Sequence, residues 1–389
     1  MVDFTLNAKE QEVIREIRRE GMVLREKYAR YYDEHEKELP PDEFPEAKEF
    51  AHIDKMAADR GPDATTPTVF YLLMLMHRTW GDMMRLKVPV TALGNASVVA
   101  AGTDEQKKRW AKTRLSMANT EPGCGSDSKA IQTTAELDGN EWVLNGEKIF
   151  VTTGIRAEGC VVWATIDKSA GRGGIKAFVV MKGTPGFELV KKEEKMGIRS
   201  SDTAAFVLKN CRVPRENLLG MDDIVKKGGG GFKGLMKTFN LTRPGVAAMG
   251  IGNIMACQDF VAEAMAKEGI TVDYEAGQHK RSAIQQKMID LEAEMEAATL
   301  CTLRAAWLAD QGKPNNLEAS VSKQKGGDVS RRCAQLALEI LGAMGITHDQ
   351  LVEKWFRDAR ITDIYEGTGE IQRLVIAREL LNYTAKELT

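Results

Sequence analysis

Cys160-Val161-Val162-Trp163-Ala164-Thr165 decides how the rest of the chain is read. Its residues are apolar, aromatic or β-branched and lack the three-to-four spacing of an amphipathic helix, so the run describes a short strand. Ala177-Phe178-Val179-Val180-Met181 and Ala205-Phe206-Val207-Leu208 repeat the texture. Bends are signalled at Asp138-Gly139-Asn140, Asn145-Gly146, Lys182-Gly183 and Pro185-Gly186. This spacing, from about Met117 to Gly220, predicts a small barrel or sandwich. Toward the N-terminus, glycines are few and long charged amphipathic runs such as Lys9 to Tyr32 predict helices, broken by Leu39-Pro40-Pro41-Asp42-Glu43-Phe44-Pro45. The methionines between Leu72 and Met84 read as adaptable core filler. Beyond Gly228-Gly229-Gly230-Gly231 the helical period returns, with sets such as Leu291, Met295, Ala298 and Leu336, Ile340. The predicted fold is α+β and multidomain: an N-terminal helical domain (1–115), a β-barrel-like middle domain (116–228) and a C-terminal helical bundle (229–389).

Composition narrows the function classes. At 389 residues the chain exceeds one comfortable core. With 43% hydrophobic and 28% charged residues it reads as an ordinary globular protein. A formal net charge of −2 offers no basic field for nucleic acid or an anionic membrane. The 6 cysteines lie far apart without a CxxC pair, which predicts buried thiols in a reduced compartment, and the 5 histidines form no metal pattern. The first residues lack the apolar core of a signal peptide and the acid-poor character of a transit segment. No run of about 18 apolar residues is present, so no membrane span is expected and the cytoplasm is the expected location.

Chemistry enters with Asp363-Ile364-Tyr365-Glu366-Gly367-Thr368-Gly369-Glu370-Ile371. Glu366 follows a helical run and directly precedes a glycine, where the backbone can take unusual angles and a ligand can approach the main chain. Helix propensity gives no reason to place a carboxylate there, whereas a base aimed at a bound substrate does.

Four further segments accompany it in order: Thr120-Glu121-Pro122-Gly123-Cys124-Gly125-Ser126-Asp127, Asn145 to Thr152, Asn210 to Gly220, and Gly231 to Arg243. Together the five resemble the acyl-CoA dehydrogenases, flavoproteins of helical, β, helical layout. The likeness is close from about residue 102 onward and weak before it. The resemblance implies FAD as cofactor, an acyl-CoA substrate, an electron-transfer flavoprotein as partner and a homotetramer. By the same resemblance Glu366 is the base and its own N–H one donor to the thioester oxygen. Some branches carry the base just before the arginine matching Arg243, but Thr242 stands there and cannot serve. Met117, Asn119, Thr120 and Ser126 match positions at the flavin ring or thioester, and Cys124 in the same loop reads as a packed alanine substitute. Phe150, Val151 and Thr152 match the strand beside the flavin. Glu339, Gly342, Thr368 and Glu370 match further cofactor positions. Ser126, Asn240, Arg243 and Gly367 match substrate positions, Asn240 and Arg243 toward the pantetheine and adenosine of CoA.

The departures are informative. Where the family presents Arg-x-x-Phe-Gly, this chain has Thr271-Val272-Asp273-Tyr274-Glu275, and its Gln-Ile-Leu-Gly-Gly becomes Glu339-Ile340-Leu341-Gly342-Ala343. Both changes add negative charge on the FAD phosphate side, so a partner subunit that completes the site is one alternative and an acyl-CoA oxidase another. Asp54 to Pro67 replaces a loop that helps wall the acyl pocket. Arg85 or Lys87 lies near where glutaryl-CoA-type relatives hold an arginine, pointing to a dicarboxylic or ring-bearing acyl group such as benzylsuccinyl.

Overall fold

The computed structural model describes residues 4–221, 230–383 and 387. Along the chain come α1 (Ala8–Val23), α2 (Ala29–Glu34), α3 (Ile53–Ala58), α4 (Pro67–Gly81), α5 (Leu93–Ala101) and α6 (Asp104–Trp110). Seven strands follow: β1 (Leu115–Ala118), β2 (Thr134–Asp138), β3 (Glu141–Thr152), β4 (Gly159–Thr165), β5 (Ile175–Met181), β6 (Phe187–Lys192) and β7 (Thr203–Pro214). The remainder is helical, with α7 (Gly230–Lys267), α8 (Ala283–Asp310), α9 (Asn316–Leu341), α10 (Val352–Ala359) and α11 (Gly369–Leu381). This is the α+β fold, helices then sheet then helices, that the alternation of periods predicts. Two compact units result. One gathers the chain up to Val88, the short segment Lys195–Ser200 and everything from Thr242; the other holds Pro89–Glu194 and Ser201–Leu241.

In the β unit the strand order is β1-β4-β2-β3-β7-β6, with β5 also on β4. The opening run is β4, buried along its whole length. Its alternate side chains feed two cores, as the two-residue period of a strand requires. Cys160, Val162 and Ala164 pack with Phe178 and Val180. Val161 and Trp163 pack with Ile175, Ala177 and Val179, and with Val98 of α5 and Trp110 of α6. One predicted bend is corrected. Asn145-Gly146 lies inside β3, where the pairing with β7 shifts register between Leu144 and Gly146. It marks a bulge rather than a turn, and glycine is needed because a Cβ at position 146 would stand 2.4 Å from Thr133 Oγ1.

In the helical unit α4, α7, α8, α9 and α10 share one apolar core, built from residues such as Leu72, Met76, Ile254, Leu303, Val329 and Trp355. One helix of this unit is long and rich in apolar residues. Among the described residues, Thr238–Lys267 is long and apolar enough to cross a membrane by length and composition alone. Ala247, Ala248, Ile251, Ile254, Ala256 and Cys257 of that stretch are buried within the fold, which is what its apolarity serves here. The same unit buries charge. Lys354 and Asp358 lie one turn apart on α10, and Lys354 Nζ donates to both Asp358 and Asp82 at 2.6 Å. Asp358 also accepts from the Ile198 N–H at 2.5 Å, which ties Lys195–Ser200 to α10. At the helix surface Arg357 pairs with Asp33 and Glu353, and Arg30 with Glu353. These contacts fix α10, and α10 leads directly into the turn that carries Glu366.

Candidate active site

The Glu366 turn is assembled by short-range bonds. A 3-10 turn, Arg360–Asp363, leaves α10. Thr362 Oγ1 donates to the Ala359 carbonyl at 2.7 Å, and the Ile364 and Tyr365 N–H groups both donate to the Ile361 carbonyl. Glu366 then takes φ 59° and Gly367 φ 91°. The left-handed region suits glycine but costs an ordinary residue about 1–2 kcal/mol, so the surroundings must hold Glu366 in place. They do so from the next helix. Thr368 caps α11 by accepting from the Ile371 N–H, while Gln372 Nε2 donates to the carbonyls of Glu366 and Gly367 at 3.3 and 3.0 Å.

The carboxyl of Glu366 meets α7 and α9. Thr242 Oγ1 donates to Glu366 Oε2 at 2.7 Å. Arg243 is only 4% exposed, and its Nη1 donates to Ser320 Oγ at 3.3 Å. Lys323 of α9 is fully buried. Withdrawal from water raises the proton affinity of Glu366 above that of an ordinary glutamate; the Thr242 hydrogen bond, Arg243 and Lys323 oppose that rise. Burial pushes Arg243 down to about 10, with Glu366 acting against the fall. The result is a carboxylate more basic than usual, gripped by one hydroxyl and flanked by two cations.

The Thr242 bond is testable. Replacing Thr242 with valine removes the donor, so the Glu366 pKa rises further and ionised base is lost at a higher pH on acidification. A hydrogen bond to a charged group contributes about 1.5–3 kcal/mol. A tenfold or greater fall in the rate of flavin reduction near pH 6, narrowing at pH 9, is expected from stopped-flow measurements across pH.

The β unit holds the predicted flavin-side residues. Met117 is buried on β1 and accepts from Ser97 Oγ at 3.2 Å through its sulfur. Glu121 and Cys124 exchange backbone hydrogen bonds, closing a tight turn just after Thr120, and Ser126 is exposed beyond it. Lys148 Nζ anchors the loop by donating to Glu121 Oε1 at 2.7 Å and to the Asn119 carbonyl at 3.1 Å. Cys124 donates to the Asp127 carbonyl, and burial pushes its thiol up, consistent with a packed, unreactive sulfur. β3 shifts register again between Lys148 and Val151. There Phe150 takes φ 56° and stands 60% exposed, while Val151 points into the sheet core and Thr152 is half-buried. Val151 therefore has only its backbone to offer a ligand. Asn119 Oδ1 is a buried acceptor without a hydrogen-bond partner among the described residues. An exposed aromatic face, an unfilled acceptor and the Thr120 and Ser126 hydroxyls suit a flat heteroaromatic ring bearing N–H and carbonyl groups, as a flavin does.

The other anticipated residues are dispersed. Glu370 is exposed in the first turn of α11. Glu339 is exposed too and accepts from Lys287 at 2.9 Å, which offsets the negative charge noted in the sequence. Gly342 ends α9 with φ 57°. The stretch Thr271–Glu275 carries no arginine of its own, and Arg281, six residues further on, donates to the carbonyls of Asp273 and Tyr274. Asn240 is half-buried on α7. Arg85 is half-buried in its own cluster with Glu20, Arg78 and the exposed Tyr71, and Lys87 is paired with Glu43 at 3.1 Å. The sequence reading overlooked Ser320, Lys323 and Gln372, and dismissed Thr242 once it was seen not to be a base. The available signal for Lys323 was a single cation on a helix face otherwise made of Ala319, Ser320, Gly326 and Gly327.

Residues 116–211 match the family model for the acyl-CoA dehydrogenase middle domain, and residues 229–381 that for its C-terminal domain. The chain belongs to the acyl-CoA dehydrogenase family, and it is a flavin-dependent oxidoreductase whose cofactor is FAD. It is 39% identical over 297 residues to the mitochondrial short-chain specific acyl-CoA dehydrogenase of Rattus norvegicus, covering 73% of this chain and 68% of that one. Among solved structures it is similar to butyryl-CoA dehydrogenase from Megasphaera elsdenii, with TM-score 0.79, 30% identity and coverage of 98% and 100% of the two chains. It is also similar to glutaryl-coenzyme A dehydrogenase in its glutaryl-CoA complex, with TM-score 0.81, 26% identity and coverage of 98% and 97%.

Proposed function

We propose that this enzyme dehydrogenates a short acyl-CoA thioester between Cα and Cβ, with Glu366 as the base that removes the α-proton. The observation that carries this reading is the held carboxyl of Glu366, half-buried in a left-handed turn and more basic than an ordinary glutamate. Thr242 occupies Oε2, and Oε1 accepts no hydrogen bond among the described residues, so Oε1 is the atom with a lone pair for the proton. The Glu366 N–H likewise donates to nothing among them, which leaves it for the thioester carbonyl as charge builds there. FAD, when bound, would supply the hydride acceptor, and Asn119, Thr120, Ser126 and Phe150 are the residues that would hold its ring. An electron-transfer flavoprotein then takes the electrons, and four copies of the chain form the working particle; both proposals follow from the family resemblance.

A second reading of the substrate, a dicarboxylic acyl group, is favoured by Arg85. It is half-buried, and burial weakens its hold on the proton, with Tyr71 and Glu20 among the groups acting the other way. Replacing Arg85 with alanine is expected to lower kcat/KM for glutaryl-CoA by tenfold or more while leaving butyryl-CoA within about twofold. Equal effects on both substrates would end that reading.

The governing experiment is an absorption spectrum of the purified chain, before and after addition of butyryl-, glutaryl- and benzylsuccinyl-CoA without an electron acceptor. Bleaching by one class confirms the half-reaction and names the acyl group. Peroxide formed in air would identify an oxidase instead, and colourless protein would identify a missing partner subunit.

A further inference from the structure

Lys323 takes no part in the reaction as set out above. Among the described residues three other lysines are as deeply buried, and each has its partner. Lys148 bonds Glu121, Lys176 bonds the Gly173 carbonyl and Lys354 bonds Asp82 and Asp358. Lys323 Nζ is fully buried without a hydrogen-bond partner among the described residues. A lone ammonium out of water is strongly disfavoured unless nearby charge offsets it.

Its helix face is defined by contact. Gly327, one turn beyond Lys323 on α9, lies so close to the Glu366 turn that a Cβ there would stand 2.8 Å from the Thr362 carbonyl oxygen and 2.9 Å from Asp363 Cα. Ser320, one turn before, accepts from Arg243. Residues three and four apart share a face, so Lys323 lies between the turn and Arg243. The charged groups that act on it from the packed elements are Asp363 of the turn, Glu366, Arg243 of α7 and Glu370 of α11. Asp363 Oδ1 is itself buried without a hydrogen-bond partner among the described residues, its other oxygen lying 3.5 Å from Arg360.

We propose that Lys323 is a positioning residue for the reaction, the buried counter-charge shared by Asp363 and Glu366 that keeps Glu366 ionised and ready for the α-proton. The inference rests on Glu366 being the base. Asp363 competes for the same ammonium, so the two neighbours of Glu366 act with opposite sign. Removing Lys323 makes ionisation of Glu366 harder, and removing Asp363 makes it easier. Burial pushes Lys323 down to about 8, with Asp363 and Glu366 opposing the fall. Its effect on Glu366 therefore fades as pH rises through that range.

The test uses the FAD-loaded enzyme and two readouts. One is the pH dependence of acyl-CoA-driven flavin reduction. The other needs no turnover: infrared titration of the carboxyl band that disappears in Glu366→Gln. For Lys323→Met, the acid limb and the infrared midpoint are expected to move up by about one pH unit, which is about tenfold less ionised base below the midpoint. Lys323→Arg should restore both, and Asp363→Asn should move both down. An unshifted midpoint in Lys323→Met, even with a uniformly slower rate, would assign Lys323 to packing and overturn the proposal. Should Lys323→Met fail to fold, Asp363→Asn decides alone, since an unmoved or raised midpoint contradicts a shared ammonium. Full flavin reduction by Glu366→Gln would instead remove the base reading beneath it, an outcome distinct from the others.

Discussion

Anaerobic mixing of the Glu366→Gln variant with an acyl-CoA that bleaches the parent enzyme is expected to leave its flavin oxidised, slowed by about 10⁴-fold, the upper range for a positioned base. The amide matches the carboxylate in shape and can accept from Thr242 through its carbonyl oxygen, so the turn at φ 59° and the Gln372 bonds should survive. Flavin content and thermal midpoint should therefore stay near those of the parent, which separates lost chemistry from lost fold. The parent's own pH profile supplies a second check. Burial raises the Glu366 pKa, only the ionised form accepts a proton, and so activity should climb as pH rises through a value above that of a free glutamate. Glutamine has no such titration, and its residual rate should be flat over that range. A variant within tenfold of the parent would mean that another group takes the α-proton.

The second large effect concerns stability. Lys354→Met would leave Asp82 and Asp358 facing each other in the core without their cation. Burial opposes the charge on Lys354, yet Asp358 and Asp82 together hold its proton more firmly than that of an ordinary lysine. Breaking a buried ion pair from one side costs about 3–5 kcal/mol, against about 0–1 kcal/mol for an exposed pair such as Lys267–Glu263. Urea unfolding of Lys354→Met and Lys267→Met, side by side, should show that contrast. The pH sign is also fixed. In the variant one carboxyl holds its proton in the folded state more tightly than in the unfolded chain. Its stabilising effect is then present below the unfolded pKa and lost as pH rises through the folded value, so the deficit should shrink toward acid pH. An equal deficit at pH 4.5 and pH 8 would contradict the buried-pair account.

How much of this was legible in the sequence depended on how local each signal was. The alternation of helical and strand periods depends on near neighbours, and it predicted the layered order of the fold. Glu366 was legible because a carboxylate before glycine breaks a local rule, a frequent mark of a working residue. Asn145-Gly146 misled for a related reason. Glycine there answers Thr133 on another segment rather than a turn, and sequence shows no such clash. Thr242 was illegible as a member of the site because nothing near it in the chain is unusual, and Lys323 showed only as a lone cation on a face of small residues. Each acquires its role from a carboxyl 40 or more residues away. The Glu339 substitution looked disruptive until Lys287, 52 residues earlier, was seen to pair with it.

β4 has a consequence for how the molecule comes apart. Its side chains serve both cores of the β unit at once, and its backbone is paired with β1 on one edge and β5 on the other. Neither core can loosen without the strand that the other requires, so partial opening confined to one of them should be rare. Amide hydrogens of Val161 to Ala164 should therefore be among the last in that unit to exchange with deuterated water, with protection that tracks its global unfolding. β6 is largely exposed and paired only with β7, so its amides should exchange through small local fluctuations long before.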